Sequence, residues 1–261
     1  MRKPGKTARL GRRTRGAKSS SKVLSLLAYF EPSRPAATMG MLSRAINAPK
    51  STAYRYVSLL REFGFLMEVE GGQYALGPRV LGMARAAQAA INYAQIAQPV
   101  MARLSTHTGE TVFMLRRVND HAICIGREDP PNPARFFLEL GTAVPLHEGA
   151  SPKLLLAHVP ARERDLYLAR HRMKKLAPDL DRMAKAGIAI TTDEITPGVW
   201  ACAAPIIQDR KVVATISVAG LAFRIRRARR VEFEALVRSA AAEISAQIME
   251  KQWPMPRRLT A

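Results

Sequence analysis

TMGMLSRAINAPKSTAYRYVSLLREFGFLMEVEGGQYAL, residues Thr38 to Leu76, reads as a helix, a tight turn, a second helix and a two-stranded hairpin. Met39, Leu42 and Ile46 recur at helical spacing, and Ala53, Val57 and Leu60 repeat the pattern, so both helices can share one small core. Asn47-Ala48-Pro49 separates them, with Pro49 expected in the first turn of the second helix, where a missing N–H is harmless. Lys50, Ser51, Thr52, Tyr54, Arg55, Ser58 and Arg61 remain for the outer surface. Short hydroxyls, a phenol and guanidinium forks suit phosphate oxygens and base edges in a major groove. Beyond Phe65 the chain alternates through Met67-Glu68-Val69-Glu70, turns at Gly71-Gly72 and returns as Gln73-Tyr74-Ala75-Leu76, which is a hairpin signal. The whole is the pattern of a winged helix-turn-helix, assigned to residues 20–78.

Toward the N-terminus, Ser20-Ser21 is expected to cap a support helix over Lys22 to Phe30, closed by Glu31-Pro32-Ser33-Arg34-Pro35. Residues 1–19 carry eight Lys or Arg and no acid, which predicts a disordered basic tail able to add phosphate contacts. The formal charge of the chain is +20. Residues 1–77 hold 14 Lys or Arg against 4 acids, and the remaining 184 hold 27 against 17. The charge is therefore densest where the helix-turn-helix lies, and a polyanionic partner follows, with nucleic acid ahead of membrane.

Toward the C-terminus, Gly77-Pro78 closes the wing, and an Ala-rich run over residues 79–98 predicts a linker helix suited to packing against a second copy. Pro99 is expected to end it. Residues 99–250 alternate strands and helices: strands at Thr111–Leu115, Ala122–Gly126, Arg135–Leu140, Thr142–Leu146, Ile188–Thr191, Trp200–Ile207 and Val212–Val218, with helices at Met101–His107, Ser151–His158, Arg162–Arg170, Leu180–Lys185 and Ala228–Met249. That order predicts an α+β sensor-type domain with an antiparallel sheet, followed by a tail at 251–261.

APKSTAYRYVSLLREFGFL, GGQYALGPRVLGMA, PLHEGASPKLLLA, ITTDEITPGVWACAAPI and VVATISVAG together resemble the IclR family of bacterial transcriptional regulators, over roughly Ser21 to Ile248. The resemblance implies that the helix from Lys50 is the recognition helix, that Gly71-Gly72 tips the wing, and that the C-terminal half is a GAF-like effector-binding domain. Ser51, Thr52, Tyr54 and Arg55 are then the candidates for DNA contact, with Lys50 and Arg44 on phosphate. The implied effector loop is Gly149-Ala150-Ser151, opening a helix whose N-terminal N–H groups and dipole favour an anion such as a carboxylate. Ser151 also has the chemistry of a helix cap. Pro152 stands where family members usually have Gly, which removes one donor.

Family register from Gly198 and Pro205 assigns Thr191, Ala201, Ser217 and Ala219 to the pocket strands, and Leu115, Leu146 and His147 complete the candidate lining. Two polar groups expected for small hydrophilic acids are here alanine, so a bulkier, more apolar aromatic or aliphatic carboxylate is expected, because a polyhydroxylated ligand would lose partners. Cys202 is expected on the opposite face of its strand, and Glu194 to order the loop before Pro197-Gly198.

The remaining features narrow the class. Two cysteines, Cys124 and Cys202, without CxxC spacing argue for a reducing compartment. The basic N-terminus has no apolar run behind it, so it does not read as a secretory signal, and no stretch is long enough to span a membrane; a cytoplasmic protein is expected. The five histidines form no HxxxH or HExxH pair, and no phosphate-cradling glycine loop is present, so neither a cofactor nor catalysis is expected. The expected partners are double-stranded DNA bearing a pseudo-palindromic operator, a small carboxylate effector, and a second copy in a dimer or tetramer. The competing readings are a constitutive basic nucleic-acid-binding protein without effector and, behind it, a small-molecule enzyme.

Overall fold

The computed structural model describes residues 17–31, 34–90, 93–131 and 136–250. Most of the expected basic tail, the C-terminal tail, Pro32-Ser33 and Arg135 lie outside the described residues. The chain divides at residues 91–92 into two compact units.

The first unit runs α1 (Lys18–Leu27), β1 (Ala36–Thr38), α2 (Met39–Ala45), α3 (Lys50–Glu62), β2 (Leu66–Val69), β3 (Gln73–Leu76) and α4 (Arg79–Ala90). Its core gathers Leu26, Leu42, Ile46, Ala53, Val57, Leu60, Leu66 and Tyr74, with Val23, Leu27 and Met39 packed at the margin. Each leucine-sized side chain so buried contributes about 1.5–3 kcal/mol. The apolar positions that suggested two helices are thus the ones that join them.

Local chemistry explains the helix ends, with two corrections. The Thr38 hydroxyl accepts the Met41 N–H at 3.4 Å and caps α2. Asn47 takes φ 48°, which its short polar side chain tolerates, and the Ser43 hydroxyl bonds the Ala48 carbonyl at 2.7 Å to close the turn. Pro49 is the N-cap of α3 rather than a first-turn residue, and its carbonyl accepts the Ala53 N–H at 3.0 Å. The first helix starts at Lys18 and ends at Leu27, so Ser20 and Ser21 lie inside it instead of capping it. Further along, the Ser25 hydroxyl bonds back to the Ser21 carbonyl at 2.8 Å.

The hairpin is part of a three-stranded sheet in the order β1-β3-β2. β1 pairs antiparallel to β3, with Ala37 opposite Tyr74. Ala36-Ala37-Thr38 is too short and too weakly apolar to announce a strand, which is why the sequence shows only two.

The second unit runs α5 (Tyr93–Thr108), β4 (Thr111–Val118), β5 (His121–Glu128), β6 (Ala143–Pro145), α6 (Ala150–Ala157), α7 (Ala161–His171), a 3-10 turn at Lys174–Leu176, α8 (Ala177–Ala186), β7 (Ala189–Thr192), β8 (Val199–Gln208), β9 (Lys211–Leu221) and α9 (Arg227–Glu250). Six strands form one antiparallel sheet in the order β6-β5-β4-β9-β8-β7. This is the expected α+β architecture. Along β8, Ala201 and Ala203 cluster with Ala150 and Leu154 of α6, while Trp200 meets Phe233 of α9 at 6.1 Å between ring centroids. Strand alternation therefore gives the sheet two faces, one under α6 and one under α5 and α9.

Two expectations fail in this unit. Pro99 lies inside α5 instead of ending a helix. The lost N–H bond would have gone to Gln95, and both residues are exposed, so water can satisfy that carbonyl. Phe136 to Glu139 form no strand. Instead the Phe136 carbonyl accepts the Thr111 hydroxyl at 2.9 Å, and the Phe136 ring meets Phe113 edge-on at 5.6 Å, so this apolar run covers a sheet face. No helix among the described residues is long and apolar enough to cross a membrane.

Candidate functional site

In the first unit, α3 buries Ala53, Val57 and Leu60 and leaves Lys50, Ser51, Tyr54 and Arg55 exposed, with Thr52 half-buried. Tyr54 is 55% exposed although aromatic. The first turn of α3 has no acidic residue, so its N–H groups and dipole are free for phosphate. Arg44 is exposed in the last turn of α2. Gly71 and Gly72 take φ 73° and 65° at the exposed tip between β2 and β3. Arg61 pairs with Glu68 of β2 at 3.2 Å, which ties the back of α3 to the wing. Seven of the eight candidate DNA contacts are thus exposed on two helices and a hairpin tip, and Thr52 is half-buried.

In the second unit, strand register brings the scattered pocket candidates into rows. Thr191, Ala201, Ala219 and Thr111 are successive cross-strand partners, and so are Ala189, Ala203, Ser217 and Phe113. Leu115 follows one row on, opposite Thr215. All share the face covered by α6, and Leu146 joins Leu115, Ala219 and Leu155 in one cluster. The face mixes alanines with the hydroxyl side chains of Thr191, Thr111, Ser217 and Thr215, and its cluster includes the aromatic residues Phe113, Phe136 and Tyr167.

Gly149 is the N-cap of α6, with φ 82°, a conformation that favours glycine. Ala150 and Ser151 open the helix, and by helix geometry their N–H groups have no intrahelical partner. Ser151 is 4% exposed and its hydroxyl has no partner. A buried hydroxyl left so costs free energy, which a ligand bearing an acceptor would recover. The site therefore offers backbone N–H groups, a spare hydroxyl and an apolar floor.

His147 behaves differently from the other candidates. Its Nδ1 lies 2.8 Å from the Tyr167 hydroxyl and its Nε2 3.5 Å from Glu148, so its ring is engaged by α7. Its ring centroid is 5.1 Å from that of His171, which stacks on Tyr167 at 4.2 Å. Burial holds His147 and His121 below the usual imidazole range and pushes Tyr167 up to about 12. Sequence spacing hid this cluster because β5, the loop after β6, and α7 each supply one histidine. Among the described residues, no group of three His, Cys, Asp or Glu is placed to hold a metal ion.

The cysteines are buried and burial raises both thiols, Cys124 to about 11. Cys202 lies beside Glu234 and Arg238 of α9, on the face away from α6, as strand alternation required. Glu194 braces its loop as expected, but through partners the sequence does not reveal. Its own loop is closed by Asp193, whose Oδ1 accepts the Gly198 N–H at 2.5 Å. Glu194 reaches α6 instead: Oε2 accepts the Gly149 N–H at 2.9 Å and Oε1 sits 2.5 Å from Lys153 Nζ. No spacing rule links residues 153 and 194, so only the fold reveals the pair.

Comparison with known proteins agrees with this architecture. The family profile described as the IclR helix-turn-helix domain matches residues 19–70, and that of the bacterial transcriptional regulator IclR C-terminal domain matches residues 86–246. The chain is 28% identical over 227 residues to the HTH-type transcriptional regulator KipR of Bacillus subtilis, covering 82% of this chain and 91% of the relative. It is 26% identical over 247 residues to the HTH-type transcriptional repressor AllR of Klebsiella pneumoniae, covering 90% and 91%. The solved structure of an IclR-type regulator from Silicibacter sp. TM1040 superposes with a TM-score of 0.80 at 25% identity, over 93% of this chain and all of that one. An IclR homologue from Microbacterium hydrocarbonoxydans, solved with 4-hydroxybenzoate, shares the fold with a TM-score of 0.74 at 21% identity, over 89% and 99%. The described winged unit, the sheet under α6 and a profile match across most of the chain lead to one conclusion: the chain belongs to the IclR family of bacterial transcriptional regulators.

Proposed function

We propose that this regulator binds a pseudo-palindromic operator through residues 20–78 and is controlled by an apolar carboxylic acid bound in residues 99–250. Ser51, Thr52, Tyr54 and Arg55 read base edges in this account, while Arg44 and Lys50 hold phosphate and Gly71-Gly72 carry the wing along the duplex. Helix α4 exposes Leu81 and Met83 on an Ala-rich surface and serves as the pairing element of a homodimer, the unit a two-fold operator requires.

The observation that carries the effector reading is the unpartnered Ser151 hydroxyl at the start of α6, the helix whose Ala150 and Leu154 pack on Ala201 and Ala203. A carboxylate there accepts hydrogen bonds from Ala150 N–H, Ser151 N–H and the Ser151 hydroxyl. The apolar body lies over Ala201, Ala203 and Ala219, near Phe113. The 4-hydroxybenzoate bound by the Microbacterium homologue has this composition, an aromatic ring bearing a carboxylate. Effector binding changes operator affinity to the extent that it favours one arrangement of the protein over another.

The test is a footprint on the DNA upstream of the protein's own gene, at two salt concentrations with excess competitor DNA. A bounded palindromic footprint that survives competitor is expected. Loss of all protection at both salts would identify a general basic binder, whose affinity is phosphate contact alone.

A further inference from the structure

The anion cradle at the start of α6 is partly occupied by a carboxylate of the chain itself. Glu194 lies in the loop between β7 and β8, yet both of its oxygens are committed to α6, one to the Gly149 N–H and one to Lys153. Lys153 is 8% exposed, and an ammonium that buried needs an anionic partner. The next residue, Ile195, lies over the same spot: a Cβ on Gly149 would fall 2.5 Å from Ile195 Cδ1. The loop therefore crosses the helix start, with its acid on the donors and its isoleucine on the glycine.

Two further facts separate this contact from ordinary loop bracing. The loop closes without Glu194, through Asp193 to Gly198 and through the Asp193 N–H to the Val199 carbonyl at 2.9 Å. In the same first turn of α6, the Ser151 hydroxyl stays buried and unpartnered. Glu194 thus satisfies part of an anion site and leaves the rest open.

We propose that Glu194 is an internal stand-in for the effector carboxylate, and that an acidic effector displaces it, taking over Lys153 and the Gly149 N–H together with the open Ser151 donors. This rests on the effector reading above and adds its entry condition. A neutral ligand cannot replace Glu194, because it would leave the Lys153 ammonium buried without a counter-charge. Two carboxylates on one cradle repel, so ligand and Glu194 exclude each other. Displacement releases the side-chain tie between the loop and α6, while the loop stays closed on itself through Asp193.

The test is chemical rescue with acetate. Glu194→Ala is expected to melt below the parent, and acetate, compared with chloride at equal ionic strength, to restore much of the loss saturably. The parent and the Glu194→Ala/Lys153→Met double variant should show no such gain. Acetate acting no better than chloride on Glu194→Ala overturns the proposal. Should that variant not fold, Glu194→Gln carries the test: acetate, followed at the Gly149 and Ser151 amide resonances, should bind it about 10-fold tighter than the parent. Equal or weaker binding overturns the proposal. Rescue by acetate, with no larger acid altering operator binding, would remove the effector reading and keep the cradle. Acid control of operator binding without rescue would do the reverse.

Discussion

Arg224 closes a buried ion pair on Glu110: its Nη2 lies 2.7 Å from Glu110 Oε2, with Glu110 6% exposed just before β4 and Arg224 just after β9. Burial raises the Glu110 carboxyl and the guanidinium opposes that rise. Gly220 makes room for the pair, because a Cβ there would overlap the Glu110 carboxylate. Gly220→Ala should therefore destabilise the second unit by about 1–3 kcal/mol through overpacking. Denaturant unfolding of Gly220→Ala, Glu110→Ala and the double variant checks this. The double variant should cost less than the two singles together, because the clash disappears with the acid.

Arg55→Ala should weaken operator binding by about 1–3 kcal/mol, roughly 10- to 100-fold, and relax specificity at one base pair. Arg55 is exposed, so stability should stay within about 0.5 kcal/mol of the parent. Quantitative footprinting and thermal melting check the two halves. An unchanged footprint would move the recognition surface off α3.

Ser151→Ala should act in opposite directions on stability and binding. Removing an unsatisfied buried hydroxyl should stabilise the free protein by about 1 kcal/mol. It should also weaken an acidic effector about 10-fold by deleting one donor. Melting temperature and calorimetric titration measure the two. A variant less stable than the parent would show that the hydroxyl has a partner inside the protein.

Acid should weaken the fold through its buried histidines. His121 and His147 have folded-state pKa values below 6.5, with burial the first cause in each. The unfolded chain then binds more protons below pH 6.5, so their contribution is full above that value and is lost as pH falls toward the folded pKa values. The groups around them are Asp120, Glu148, Lys153 and His171. Glu110, with its raised pKa, acts the other way: its contribution is full below the ordinary carboxyl value of 4.5 and is lost as pH rises through the folded pKa. Melting between pH 7 and 5.5 should show a falling midpoint, with His121→Asn flattening the fall. Each 1 kcal/mol involved corresponds to roughly 2–4 °C in a unit of this size.

The helix-turn-helix was legible because its information is local. Leu42, Ile46, Ala53, Val57 and Leu60 follow the helical repeat, and none of the residues between them is fully buried. The sheet of the second unit was legible as strands and, through the family resemblance, as a row of pocket positions. Thr191, Ala201 and Ala219 do fall side by side. What the sequence hid was tertiary. β1 exists because β3 offers a free edge, and Phe136 covers a sheet instead of joining it. Glu194 finds Lys153 across 41 residues. His147 and His171 meet only when α7 folds beside the loop after β6. Such pairings carry no period and no spacing, so local pattern cannot announce them.

In this mechanism an acid bound at the start of α6 controls DNA binding. The most direct measurement is the operator footprint of the parent and of Ser151→Ala, titrated with a panel of aromatic and aliphatic carboxylic acids that includes 4-hydroxybenzoate. At least one apolar acid should shift the parent's protection midpoint, and Ser151→Ala should need about 10-fold more of the same acid for the same shift. A footprint that no acid in the panel moves, or that moves identically in both proteins, would contradict it.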